Sequence, residues 1–148
     1  MTTNYQAAEA ELSTLRDFLR WTTSRFEEAR LFFGHGNNDA FNEATQLVLH
    51  SLKLPVTELP EIFLDARLCS AEKQILLNLV KRRVEERVPV PYLTREAWFA
   101  GLPFYVDERV LIPRSPFAEL IESQFLPWLL NVEGVERILD MCTGSACI

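Results

Sequence analysis

The last eleven residues constrain the fold most. Ile138-Leu139-Asp140-Met141-Cys142-Thr143-Gly144-Ser145-Ala146-Cys147-Ile148 runs from a short apolar pair to an acid and then into a row of small side chains. With Val135 just upstream, this predicts a buried strand entering a tight loop. Thr143, Gly144, Ser145 and Ala146 are small enough for the backbone to approach a ligand closely, and a helix is expected to begin at about Ala146 or Cys147. Strand, tight loop and helix in that order open a nucleotide-type α/β domain. A first parallel strand needs a crossover of about a dozen residues and a second strand beside it. Neither follows within the 148 residues, so the chain is expected to be the front part of a longer protein.

Upstream, the periodicity is helical. From about Ala7 to Phe33, the residues Leu12, Leu15, Phe18, Leu19, Thr22, Phe26, Ala29 and Phe33 recur at three- and four-residue steps, predicting one long amphipathic helix that Gly34-His35-Gly36 breaks. Asn37, Asn38 and Asp39 are good N-cap types for a second helix carrying Phe41, Ala44, Leu47, Val48 and Leu52, with Pro55 ending it. Pro60 suits the first turn of a short third helix from Glu61 to about Leu68. Ser70 is the expected cap of a fourth, running to about Arg87 and burying Ile75, Leu76, Leu79, Val80 and Val84. The two prolines of Val88-Pro89-Val90-Pro91-Tyr92-Leu93 predict extended backbone, a linker that closes a four-helix domain.

From Ala97 the period changes to two. Trp98-Phe99-Ala100 and Phe104-Tyr105-Val106 flank Gly101-Leu102-Pro103 as a hairpin, and Val110-Leu111-Ile112 reads as another short strand. Pro113-Arg114-Ser115-Pro116 ends it and opens a helix to about Leu130, faced by Leu120, Ile121, Phe125 and Leu129 and kinked by Pro127. The resulting division is 1–88, 89–115 and 116–148.

Composition narrows the function classes. A hydrophobic content of 48% is ample for a core, and the formal charge of −6 argues against unaided nucleic-acid binding. Cys69, Cys142 and Cys147 are an odd number behind a polar N-terminus, which fits a reducing, cytoplasmic setting. Cys142 and Cys147 have no histidine nearby, so no metal is expected. No apolar run approaches the ~18 residues of a membrane span.

Other features have bland readings. Lys81-Arg82-Arg83 and Arg87 alternate with Glu85 and Glu86 and read as a solvated helix face rather than an RNA contact. His35 and His50 read as a loop and a helix-surface histidine. Trp21, Phe32 and Phe33 form either a protein-docking patch or core, with core the default. Ser145 lacks the Gly-x-Ser-x-Gly elbow of a hydrolase nucleophile.

Three segments together resemble the protein-(glutamine-N5) methyltransferases: the aromatic-glycine hairpin Trp98-Phe99-Ala100-Gly101 through Phe104-Tyr105-Val106, the run Val110-Leu111-Ile112-Pro113-Arg114 with Glu119 and Leu120, and the loop Asp140 to Ile148. The segment Arg87 to Leu93 is similar too. The resemblance covers the whole chain, most strongly from about Glu86 onward. Gly34-His35-Gly36, Asp140-Met141-Cys142-Thr143-Gly144 and Pro113-Arg114-Ser115-Pro116 resemble the branch acting on large-subunit ribosomal protein three. The release-factor branch usually has Pro-Arg-Pro-x-Thr-Glu and a glycine in place of Cys142. Ala146 departs from both branches, which normally carry glycine there.

The resemblance implies an α+β fragment: an N-terminal helical bundle that recognises the substrate protein, a β-hairpin linker, and the first strand and turn of a Rossmann-like domain for S-adenosylmethionine. It implies that Cys142, Thr143, Gly144, Ser145 and Ala146 line the cofactor, that Asp140 orients the loop, and that Phe99 and Arg114 bound the methionine moiety. The implied reaction moves a methyl group onto a glutamine side-chain nitrogen, a poor nucleophile because its lone pair is delocalised. Well-oriented groups supply about 7–11 kcal/mol to such a reaction by positioning. In the family an Asn-Pro-Pro-Tyr loop does this, and the sequence contains none. The implied partner is large-subunit ribosomal protein three, with no membrane and no direct nucleic-acid contact. A release factor is the alternative substrate, and a free-standing helical interaction module is the alternative of another class. The 148 residues alone are expected to transfer no label from S-adenosylmethionine to protein; detectable transfer by the purified chain contradicts that expectation.

Overall fold

A computed structural model describes residues 4–34, 37–56, 58–141 and 143–144. They form two compact units, residues 1–94 and 95–148. The architecture is α+β, helices followed by a two-stranded antiparallel sheet.

The first unit is helical. The expected single helix is two, α1 (Tyr5–Glu11) and α2 (Leu15–Glu28). A reciprocal capping box makes the break. The Thr14 hydroxyl accepts from the Asp17 amide at 3.2 Å, and the Asp17 carboxylate accepts from the amides of Ser13 and Thr14 at 3.1 and 2.9 Å. These bonds hold the Asp17 carboxyl below its ordinary pKa, the backbone amide of Thr14 contributing most. The break also frees backbone for pairing. The Leu15 amide donates to Ala66 and the Leu68 amide to Ser13, both at 3.0 Å, which ties residues 66–68 to the corner.

Asp39 caps α3 (Ala40–Ser51), its carboxylate accepting from the Asn42 amide at 2.8 Å. A 3-10 turn spans Glu61–Asp65 where a short α-helix is predicted. The next helix, α4 (Ser70–Glu85), is capped at Cys69 rather than Ser70. There the Glu72 side chain reaches back to accept from the Cys69 amide at 2.7 Å. Lys73 crosses from α4 to the end of α1, donating to the carbonyls of Glu9 and Leu12 that the helix leaves without partners.

The expected linker is helical instead, α5 (Val90–Thr94), with Val90, Pro91 and Thr94 buried. Its prolines fall at the start, where a missing N–H costs no helical bond. The amides of Tyr92 and Leu93 both donate to Pro89.

Helix α2 packs on α3, and α3 touches both α4 and α5. Leu15, Phe18, Phe26, Leu47, Val48, Leu76 and Val80 form the centre of this core, each worth about 1.5–3 kcal/mol when fully buried. The buried face of α4 differs from expectation. Ile75 is exposed, while Leu77 and Arg83 are buried. Arg83 donates from Nε to Glu43 Oε1 of α3 at 2.5 Å and from Nη2 to the Phe32 carbonyl at 3.0 Å. Its guanidinium also lies 6.0 Å from the Phe26 ring centroid. The solvated reading of the basic run holds for Lys81 and Arg82, which pair with Glu85 and Glu86 on the surface, and fails for Arg83.

In the second unit, β1 (Glu96–Phe99) and β2 (Leu102–Tyr105) make a hairpin as expected, but its turn is Ala100-Gly101, and Leu102 and Pro103 of the expected turn lie in β2. Phe99 faces Leu102 and Trp98 faces Pro103 across it. Two further expectations are corrected. Val110–Ile112 is irregular, and the helix α6 (Phe117–Glu122) stops well short of Leu130. Gln124 and Phe125 adopt left-handed backbone, which ends it before Pro127 is reached.

Burial leaves the Glu43 carboxyl above its ordinary pKa despite Arg83 beside it. A group raised in the folded state contributes stability below its unfolded value and loses it as pH rises through the folded value. The urea midpoint of the chain is therefore expected to fall as pH rises above the ordinary carboxylate range. Glu43→Gln should remove this component, and Glu43→Ala should cost about 3–5 kcal/mol by stranding Arg83.

Candidate functional site

The hairpin turn consists of Ala100 and Gly101, both with positive φ, 47° and 75°. Two positive-φ residues in a two-residue loop match the right-handed twist of the strands. Alanine carries a Cβ into that region, at about 1–2 kcal/mol. Phe99, just before the turn, is buried, as are Ala97, Val106 and Ile112, whereas Trp98, Leu102 and Tyr105 are exposed. In a hairpin with this register, Trp98 and Pro103 form a non-hydrogen-bonded pair. The donor Pro103 lacks would thus point to the outer edge of β2, and its absence blunts that edge.

After β2 the chain is clasped by Asp107. Its carboxylate accepts from the Arg109 amide at 3.0 Å, from Arg109 Nε at 3.0 and 3.1 Å, from Arg109 Nη2 at 2.6 Å and from the Tyr105 hydroxyl at 3.3 Å. The Arg109 side chain leads in holding the Asp107 carboxyl down to about 2. The sequence signal for this clasp is the Asp-x-Arg spacing beside Tyr105. The clasp delivers the chain to Ile112-Pro113-Arg114, where Ile112 is buried and Arg114 is exposed.

The predicted terminal strand is not formed within the described residues. Residues 135–140 are irregular, and Ile138, Leu139 and Met141 are exposed. A strand draws its ladder bonds from neighbours, and among the described residues nothing pairs with this one. Nor are residues 135–141 helical or packed as the closing piece of a core.

The turn after it is present in part. The Asp140 carbonyl accepts from the Thr143 hydroxyl at 3.2 Å, and Gly144 adopts φ 58°. Asp140, Thr143 and Gly144 are exposed. Cys142, Ser145 and Ala146 lie outside the described residues, as do His35 and the start of the predicted last helix. Among the described residues, no hydrogen bond or ion pair joins Phe99 or Arg114 to this turn. Gly144 thus sits in left-handed backbone beside Thr143, whose hydroxyl folds back onto the main chain at the exposed Asp140. Among the described residues no group of three or more His, Cys, Asp or Glu is placed to hold a metal, and no helix is long and apolar enough to cross a membrane.

No family model matches the chain. Individual proteins do. It is 59% identical over 142 residues to a ribosomal protein uL3 glutamine methyltransferase of Xanthomonas campestris pv. campestris, covering 96% of this chain and 46% of that protein. Proteins of the same name from Bordetella pertussis and Xylella fastidiosa are 51% identical over 138 residues and 55% over 142. These matches cover 93% and 96% of this chain and 46% and 45% of the relatives. The chain thus spans about half the length of the curated relatives it matches.

Two outcomes check the local geometry. Ala100→Gly should stabilise the hairpin by about 1 kcal/mol, read as slower amide exchange in β1 and β2. The Asp107 clasp, depressed in the folded state, should persist above the ordinary carboxylate value and open as pH falls through about 2, followed by the carboxyl carbon shift of Asp107. Along 93–96% of its own length, the chain is thus homologous to proteins named ribosomal protein uL3 glutamine methyltransferase, of whose length it covers 45–46%.

Proposed function

We propose that this chain is the helical and cofactor-approach portion of an enzyme that methylates a glutamine side-chain amide in large-subunit ribosomal protein uL3. The carrying observation is 51–59% identity to proteins of that name over 93–96% of the chain. Residues 1–88 would recognise the ribosomal protein, residues 89–115 would link, and 116–148 would begin a Rossmann-like domain in the cytoplasmic enzyme.

S-adenosylmethionine would supply a methyl group on an electrophilic sulfonium. The turn from Asp140 to Gly144, with Cys142, Ser145 and Ala146, would hold it through backbone groups. Gly144 allows close approach because its left-handed backbone carries no Cβ. Asp140 would orient the turn. Phe99 and Arg114 would bound the methionine end, the arginine offering its fork of donors to a carboxylate. The acceptors that localise the amide lone pair belong to an Asn-Pro-Pro-Tyr loop in the family, and these 148 residues contain none.

The test uses protein extended to the length of the relatives, offered purified uL3 and a release factor side by side with labelled S-adenosylmethionine. Label on a uL3 glutamine, and at least tenfold less on the release factor, is the expected result. Gly144→Val should lower transfer at least tenfold, because a β-branched residue is strained at that φ. Preferential labelling of the release factor overturns the substrate assignment.

A further inference from the structure

Between the end of β2 and Arg114 the chain is irregular, yet successive constraints fix its path. Val106 is buried and lengthens the hairpin by one bond, its amide donating to the Arg95 carbonyl at 3.4 Å. The Val110 amide then donates to the Asp107 carbonyl at 3.1 Å and closes a turn. Around that turn the Asp107 carboxylate gathers the Tyr105 hydroxyl from the last residue of β2 and both the amide and the guanidinium of Arg109. Ile112 is the next buried side chain. Pro113 follows; its ring fixes its own φ and pushes Ile112 toward extended backbone. Arg114 therefore stands on a stiff arm, its Cα within about 7 Å of the Ile112 Cα.

The two arginines of this run are in opposite states. Arg109 has its fork taken by Asp107. Arg114 is exposed, and among the described residues no hydrogen bond or ion pair engages its side chain. Its donor fork fits the carboxylate of an amino-acid moiety. An exposed ion pair contributes little to global stability, and the Arg109 side chain is 83% exposed. What the clasp does supply is one geometry for the loop that leads to Arg114. We propose that Asp107 and Arg109 are positioning residues whose clasp aims Arg114 at the carboxylate of the methionine moiety; this rests on the function proposed above. The loop is then ordered before the cofactor arrives, so less entropy is lost on binding.

The test is the affinity of protein extended to the length of the relatives for S-adenosylmethionine and for its decarboxylated form, by calorimetry. Asp107→Ala, and Arg109→Lys, which keeps the charge and loses the fork, should each weaken S-adenosylmethionine binding at least fivefold with an unchanged thermal midpoint. Both should weaken binding of the decarboxylated form less than twofold, a split that a general structural loss does not produce. Glu108→Gln removes the exposed charge between the two clasp residues and should leave both affinities unchanged. Unchanged affinity in both clasp variants, an equal loss for the decarboxylated form, an equal loss in Glu108→Gln, or a lowered thermal midpoint in both clasp variants overturns the positioning role. No binding by the unaltered longer protein overturns it together with the cofactor assignment. Clasp-dependent binding without methylation of uL3 overturns the proposed function and leaves the positioning role standing; methylation of uL3 with clasp-independent binding does the reverse.

Discussion

The helical unit depends on a buried charge. Arg83 has no route to water from its place on α4, and three neighbours meet its needs: Glu43 on α3, the Phe32 carbonyl after α2, and the face of Phe26 within α2. Apolar contacts are forgiving about angle and register, because burial is non-directional. A guanidinium is not, since its donors form a rigid fork. The pair therefore sets the register of α4 against α3, and with it which residues of α4 face inward. That explains why Leu77 is inside and Ile75 outside, although both are equally apolar.

The same device connects the interior to the surface. The chain leaving α2 has no regular structure of its own to fix it. Arg87, another arginine late on the α4 side, donates from Nη1 to the Ala29 carbonyl at 2.8 Å. Arg87 thus satisfies a carbonyl at the C-cap of α2, and Arg83 one in the chain three residues further on. Lys73 does this for α1. Lys73 and Arg87 thus close the C-terminal ends of α1 and α2, while Arg83 holds the chain beyond α2.

What the sequence made legible follows from how local each cause is. The helical periods of α2 and α3, a cap among Asn37, Asn38 and Asp39, and a hairpin around Gly101 are written within a few residues, and the structure agrees with them, although it moves the turn to Ala100-Gly101 and changes which residues of α4 are buried. The break at Thr14 was hidden because apolar residues continue at helical spacing through it, while the capping box and the pairing with residues 66–68 decide the backbone. The prolines at 89 and 91 argued for extension, yet a helix start tolerates them. Arg83 was illegible in principle: its partner lies 40 residues away, and its neighbours Lys81 and Arg82 are ordinary surface cations. In the second unit the strand at Ile138-Leu139 carries a clear apolar signal but requires pairing from outside itself. Of the candidate site, the turn from Asp140 to Gly144 was readable from small side chains, whereas the Asp107 clasp on Arg109 was not singled out.

Arg83 and Glu43 act as one unit in the helical core. A double-mutant cycle reads this directly, with Arg83→Met, Glu43→Leu and the combination compared by urea unfolding. Each single change should be strongly destabilising, because each leaves a charge buried alone, and the double change should recover most of the loss. Additive losses, with the double variant as unstable as the sum of the singles, would contradict it.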